Sequence, residues 1–96
     1  MARIAAFVPN LMDRSRFSGD VVFVSDADEL DTVDADLVIV DLDRCEHLAD
    51  FVRPDTETIG FGPHVESELA EAARDAGYNQ VLTRSVFFNR LVSLLR

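Results

Sequence analysis

The stretch DLVIVDLDR, residues 36–44, determines the fold that we expect for this chain. Four apolar residues, Leu37 to Val40, run without a polar interruption into Asp41. A strand with one face in water alternates polar and apolar residues, so an unbroken run predicts a strand covered on both faces, as in a parallel sheet. Asp41 then falls at the carboxyl end of this strand, where open α/β sheets carry their functional sites.

Four further apolar runs repeat the pattern along the chain. They cover residues 4–8, 21–24, 58–61 and 80–83, and the five runs are separated by about 12, 12, 17 and 18 residues. A parallel crossover needs a dozen or more residues, whereas a hairpin loop uses two to five. We therefore expect one domain over residues 1–96, with a five-stranded parallel sheet and helices on both of its faces.

The segments between the runs predict helices of unequal length. The clearest follows the fourth strand, with Gly62 and Pro63 at its start and Gly77 just past its end. Ser85 is the expected N-cap of a C-terminal helix, and Asp43 the expected N-cap of a helix between the third and fourth strands. The first two connections predict helices of one to three turns.

Composition limits the function. Eighteen acidic residues against nine arginines give a formal charge of −9, which disfavours nucleic acid and anionic membranes and suits a basic protein surface or a metal ion. Lysine is absent, so Schiff-base chemistry is excluded. The one cysteine, Cys45, and the lack of a long apolar run lead us to expect a cytoplasmic protein without a signal peptide.

This order of elements, with DLVIVDLD at its centre, resembles the receiver domain of bacterial two-component response regulators. Residues 72–95, AARDAGYNQVLTRSVFFNRLVSLL, resemble the fourth helix, fifth strand and fifth helix of that family. The resemblance covers nearly the whole chain and implies a flavodoxin-like three-layer fold with strand order 2-1-3-4-5. It also implies that Asp41 occupies the phosphoacceptor position.

The other positions of the receiver site differ from the family pattern. Asn10 stands where an acidic residue is expected, with Asp13 three residues later; Gly62 replaces a hydroxyl residue, and Arg84 replaces a lysine. Phosphoryl transfer to a carboxylate needs Mg²⁺ and a cation to neutralise the phosphoryl oxygens. We therefore expect a degenerate receiver, or pseudo-receiver, without catalysis, metal or cofactor, in which Arg84 is free to form a permanent ion pair with Asp41.

Such a protein would act in phosphorelay signalling through protein–protein interaction. Because Phe87 and Phe88 are adjacent on a predicted helix, one of them is expected on its outer face. We predict an interaction surface that includes Tyr78, Phe87 and Leu94, for a protein partner or for a homodimer through the last helix.

Two alternatives remain open. In the first, the chain is a phosphorylatable receiver in which Asp13 and Arg84 assist Asp41, with Mg²⁺ bound. In the second, it is a small flavodoxin-like ligand-binding protein or enzyme that uses the turn of Gly60 and Gly62 as an anion cradle before a helix. A deep pocket at that turn would favour the second alternative, and a contact between Asp41 and Arg84 would count against it.

Overall fold

The strand predicted from residues 37–40 is the centre of the sheet. In the computed structural model, which describes residues 3–17, 19–63 and 67–94 without the side chains of Val92 and Leu94, this strand is β3 (Leu37–Asp41) and all five of its residues are buried. The other strands are β1 (Ile4–Phe7), β2 (Val21–Phe23), β4 (Glu57–Gly62) and β5 (Gln80–Thr83). All neighbours pair in parallel, in the order β2-β1-β3-β4-β5, which confirms the predicted fold class.

Short helical segments connect the strands. They are α1 (Leu11–Arg14), η1 (Ala27–Thr32), η2 (Leu42–Arg44), η3 (Leu48–Phe51), α2 (Glu68–Ala76) and α3 (Arg84–Leu94), where η denotes a 3₁₀ helix. The prediction of short first and second connections is confirmed. No helix among residues 3–17, 19–63 and 67–94 has the length and apolar character needed to cross a membrane.

The helix expected between the third and fourth strands is not formed, and Asp43 does not cap one. Instead the Asp41 carboxylate accepts a hydrogen bond from the Asp43 N–H at 3.2 Å, which starts the tight turn η2 directly at the strand end. The turn closes when the Cys45 N–H donates to the Leu42 carbonyl, and η3 follows it. Two 3₁₀ turns therefore replace an α-helix.

Two other helix starts differ from the prediction by a few residues. Gly62 belongs to β4, and α2 begins after Ser67, whose Oγ accepts a hydrogen bond from the Ala70 N–H at 3.1 Å. The cap of α3 is Thr83 and not Ser85, because Thr83 Oγ1 accepts the hydrogen bond from the Val86 N–H. The predicted end of α2 is confirmed, since Gly77 adopts a φ of 108° there.

The sheet separates two apolar cores, as expected for a three-layer fold. Alternate residues of β3 contribute to each: Leu37 and Ile39 to one core, Val38 and Val40 to the other. This division explains the unbroken apolar run, because every residue of the strand faces a core. The first core lies against α3 and the segment after α1, and its buried members include Phe61, Phe87, Phe88 and Leu91. The second lies against η1, η2, η3 and α2, and its buried members include Leu30, Leu42, Phe51, Ala73 and Tyr78.

The predicted interaction surface is wrong at two of its three residues. Phe87 is fully buried and stacks on Phe61 with ring centroids 4.6 Å apart, and its neighbour Phe88 is buried as well. Tyr78 is buried, with its hydroxyl donating to the Leu48 carbonyl at 3.0 Å. The apolar stripe of α3 is wide enough to place both phenylalanines in the core. The side chain of Leu94 lies outside the described part of the chain.

Gly60 is required for packing between the sheet and η2. A Cβ at this position would lie 2.6 Å from Leu42 Cδ2 and 3.0 Å from Tyr78 Cδ2, closer than carbon atoms approach without displacement. At Gly62 the nearest atom to an added Cβ is the Cβ of Leu42 at 3.8 Å, an ordinary contact. The two glycines, which are separated by Phe61 in the same strand, are therefore under different constraints.

We expect Gly60→Ala to lower the free energy of unfolding by about 1–3 kcal/mol, because the added methyl group overpacks the core around Leu42. Gly62→Ala is the matched control, with an expected change within about 0.5 kcal/mol. Urea unfolding followed by circular dichroism measures both. Equal losses in the two variants would contradict the assignment of a packing role to Gly60.

Candidate functional site

Asp41 is the candidate phosphoacceptor at the carboxyl edge of the sheet. Its residue surface is only 2% exposed. Burial raises the pKa of its carboxyl group; the Asp43 N–H and the positive charge of Arg84 act to lower that pKa, and the negative charge of Asp13 acts to raise it. Asp41 is therefore a desolvated carboxylate that already accepts a backbone hydrogen bond at the start of η2.

Arg84 forms its ion pair with Asp13 and not with Asp41, so the Asp41–Arg84 pair considered from the sequence is wrong. The Arg84 Nη2 donates to Asp13 Oδ1 at 2.6 Å, and the two side chains are 40% and 10% exposed. The hydrogen bond to Asp13 raises the pKa of Arg84. This contact joins α1 to the start of α3 across the carboxyl edge, over 71 residues of sequence.

Two aromatic rings hold the Arg84 guanidinium in place. Its Cζ lies 5.5 Å from the ring centroid of Phe61 and 5.5 Å from that of Phe88, within the range of cation–π attraction. Phe61 is opposite Asp41 in the β3–β4 register. Arg84 is therefore a neighbour of Asp41, but its hydrogen bond is directed to Asp13.

Asn10 also has a structural role at this edge. Its side-chain oxygen accepts hydrogen bonds from the N–H groups of Met12 at 2.8 Å and Asp13 at 3.2 Å, which makes it the N-cap of α1. The cap fixes the first turn of α1 and thereby directs the Asp13 carboxylate toward Arg84. Asn10 therefore helps to position the carboxylate of the Asp13–Arg84 ion pair.

The receiver family implies Mg²⁺ at this edge, and the donors present do not fit it. Mg²⁺ takes near-octahedral oxygen ligands, usually including one or two carboxylates. Here Asp13 is paired with Arg84, the Asn10 oxygen caps α1, and Asp41 is bonded to the Asp43 N–H. Within the described residues there is no group of three His, Cys, Asp or Glu side chains arranged to hold a metal ion.

The two glycines considered for an anion cradle both belong to β4. Gly60 lies within β4 against Leu42, and Gly62 ends the same strand. The residues between Pro63 and Ser67, which include His64, lie outside the described part of the chain. A cleft of about 290 Å³ is found elsewhere, between η1 and the η2–η3 segment, and its lining contains neither Gly60 nor Asp41.

The sequence predicts which residues lie near Asp41, but it does not predict the ion pair between Asp13 and Arg84. The parallel strand order predicts that the carboxyl ends of β1, β3 and β5 lie along one edge of the sheet, where we expect Asn10, Asp41 and Arg84. The choice of Asp13 as the partner of Arg84 depends on the cap at Asn10 and on the rings beneath the guanidinium. The N-cap preference of asparagine before a short helix was the available indication.

Comparison with known proteins supports the fold. No protein-family model matches the chain, and no curated protein matches it significantly. The crystal structure of a CheY-like protein (tadZ) from Pseudomonas aeruginosa is similar, with a TM-score of 0.74 and 18% sequence identity, over 100% of this chain and 98% of that chain. The chain therefore has a CheY-like receiver fold, as the strand order indicates.

We expect the Asp13–Arg84 pair to contribute about 1 kcal/mol of coupling to stability, because Asp13 is largely removed from water and the arginine is held by two rings. A double-mutant cycle with Asp13→Asn and Arg84→Gln measures this energy. The pair Arg3–Asp34, at 3.9 Å with side chains 73% and 92% exposed, is the control and should give a coupling near zero. Equal coupling in both cycles would contradict the structural role of the first pair.

We expect Asp41→Asn to stabilise the protein at neutral pH. Below the unfolded pKa of 3.8 the carboxyl group is neutral in both states, so wild type and variant should be nearly equal. As the pH rises through the raised pKa of the folded state, wild type must hold a buried charge and loses stability, whereas the variant does not. Asparagine retains the oxygen that accepts the Asp43 N–H.

The measurement is the free energy of urea unfolding of wild type and Asp41→Asn between about pH 4 and pH 7. Asp43→Asn, at an exposed residue two positions along the chain, removes the same charge and serves as the control. A gain that does not grow with pH, or one equally large in the control, would contradict the desolvation of Asp41.

Proposed function

We propose that the chain is a pseudo-receiver: a non-enzymatic signalling module that works by binding another protein, without phosphorylation of Asp41. The CheY-like fold supports a role in signalling, and the formal charge of −9 favours a protein partner over nucleic acid or an anionic membrane. A homodimer through the last helix remains part of this proposal, with Val86, which is 38% exposed in the first turn of α3, as its exposed apolar residue.

The Asp13–Arg84 ion pair carries the proposal. A phosphoryl group on Asp41 needs a cation directed at its oxygens and a metal ion held by a second carboxylate. Here the cation and the second carboxylate neutralise each other at 2.6 Å. Recruiting either one for phosphoryl transfer would require breaking the pair, and the other would then be left partly buried without its partner.

The surroundings of Asp41 support the same conclusion. A nucleophilic carboxylate must be ionised and accessible, whereas this one is 2% exposed and its pKa is raised by burial. Where receivers have a residue whose hydroxyl contacts the phosphoryl group, this chain has Gly62, which has no side chain. Asp41 is then best understood as the residue that ends β3 and starts η2.

One observation favours the phosphorylatable alternative. Asp13 and Arg84 are both close enough to Asp41 to affect its pKa, so a small rearrangement would bring a second carboxylate and a cation to its oxygens. The ligand-binding alternative has less support at Gly60, because this residue is occupied in packing against Leu42.

The experiment is incubation with acetyl phosphate and Mg²⁺, followed by intact mass spectrometry and amide NMR around Asp41. We expect no phosphate adduct on wild type, because the cation and the carboxylate needed for the reaction are paired with each other. An acid-labile adduct that disappears in Asp41→Asn would overturn the proposal in favour of the phosphorylatable receiver.

A restored variant makes the negative result informative. Asn10→Asp, Gly62→Ser and Arg84→Lys together return the family pattern, and the serine Cβ at position 62 meets only ordinary contacts. We expect this triple variant to gain an adduct that wild type lacks, provided that its NMR spectrum shows a folded protein. A phosphorylatable receiver domain in the same reaction verifies the phosphodonor.

A further inference from the structure

Charge is divided between the two helical layers of the molecule. The layer that contains α1 and α3, residues 10–17 and 84–94, has four arginines and one acid; we call it the arginine layer. The layer on the other face of the sheet, residues 25–34, 42–56 and 67–76, has three arginines and twelve acids; we call it the acidic layer. The formal charges are +3 and −9, so the negative field of the molecule comes from one side.

The cleft of about 290 Å³ opens in the acidic layer. Phe7 and Phe51 form its apolar part, with their ring centroids 4.9 Å apart. Three carboxylates, those of Asp26, Glu46 and Asp50, are among the groups that line it, together with one arginine, Arg44, and the exposed His47. The cleft therefore combines aromatic rings with an excess of negative charge.

The walls of this cleft are held together before any ligand binds. Arg53 Nη2 donates to the Ala27 carbonyl at 3.1 Å and lies 3.4 Å from Asp31 Oδ1, while its Nη1 donates to the Asp50 carbonyl. One arginine therefore joins η1 to η3 on the two sides of the opening. A preformed cleft loses less conformational entropy on binding than a mobile one.

Two of the carboxylates are available to a ligand. Neither Glu46 nor Asp50 forms an ion pair with another residue of the described ranges, where the pairs are Arg3–Asp34, Arg53–Asp31 and Arg84–Asp13. Both residues are exposed. Their charges are therefore directed to solvent at the margin of an apolar opening.

We propose that this cleft binds an arginine side chain from a basic segment of the partner protein. The guanidinium would lie against the partly exposed ring of Phe7, which packs on the buried Phe51, while a carboxylate at the margin, Asp50 or Glu46, accepts its N–H groups. This inference rests on the proposed function and adds to it the binding surface and the chemistry of the partner.

The size and charge of the cleft favour this occupant over others. Pockets for small-molecule ligands range from about 300 to 1,000 Å³, so a cleft at the lower limit suits one or two side chains better than a cofactor. Three carboxylates against one arginine disfavour an anionic ligand. The described residues contain no cluster suited to a metal ion.

A second copy of the chain is a poorer occupant. On the arginine layer, Arg14 lies over Phe23 at 5.0 Å, Arg16 lies over Phe88 at 3.9 Å, and Arg84 is paired with Asp13. Three of the four arginines of that layer are therefore already in contact with groups of their own chain.

Titration with a capped tetra-arginine peptide, followed by amide NMR of the whole chain, tests the proposal. We expect shifts concentrated at residues 25–27 and 44–51, and binding several-fold tighter than that of capped tetra-lysine, because a planar guanidinium stacks on aromatic rings better than an ammonium group. Equal affinities, shifts spread over the acidic layer or absent, or equal shifts with capped tetra-glutamate would overturn it.

Matched variants separate the cleft from the general field. Glu46→Gln with Asp50→Asn removes two charges at the cleft and should weaken tetra-arginine binding about tenfold. Glu71→Gln with Asp75→Asn removes two exposed charges on α2 in the same layer and should weaken it less than about threefold. Equal weakening by the two double variants would contradict a specific cleft. NMR shifts at the cleft residues on concentrating the protein without peptide would indicate self-association and would also contradict the proposal.

The same samples distinguish failure of this inference from failure of the proposed function. If the peptide does not bind specifically and no phosphate adduct forms, arginine binding at the cleft is rejected and the pseudo-receiver function stands. An adduct on Asp41 after treatment with acetyl phosphate and Mg²⁺ removes the pseudo-receiver, and it is detected by mass whether or not the peptide binds.

Discussion

The burial of β3 on both faces is the constraint on which the rest of the structure depends. Its alternate residues supply both cores, so helices must cover the sheet on each side and every connection must cross over. Parallel crossovers bring the carboxyl ends of β1, β3 and β5 to one edge. That edge collects Asp13, Asp41 and Arg84 within electrostatic range of one another.

The chemistry of this edge depends on how an arginine differs from a lysine. A lysine ammonium is a compact charge on a flexible stem, and a guanidinium is a plane that stacks on rings and donates along fixed directions. Arg84 lies beside Phe61 and Phe88, and from there its donor reaches Asp13. Arg84 therefore places a positive charge at the edge but directs its hydrogen bond away from Asp41.

The sheet was predictable from the sequence because it depends on patterns that extend over the whole chain. Five unbroken apolar runs at crossover spacing gave the strands and their order through the receiver resemblance. The errors arise where two side chains could accept the same kind of backbone hydrogen bond. The Asp41 oxygen accepts the Asp43 N–H, so 3₁₀ turns form where a helix was predicted, and Thr83 caps α3 in place of Ser85. Phe87 was misplaced because the width of an apolar stripe depends on how the neighbouring strand packs, and Tyr78 because its buried hydroxyl finds the Leu48 carbonyl as a partner.

The segment η2 connects the two regions to which we assign a role. Its first hydrogen bond is accepted by the Asp41 carboxylate, Leu42 fills the space above Gly60, and Arg44 lines the cleft of the acidic layer. Three consecutive residues therefore join the carboxyl edge, the core and the cleft. A short path of covalent and hydrogen bonds therefore leads from the central carboxylate of this CheY-like fold to an outer surface.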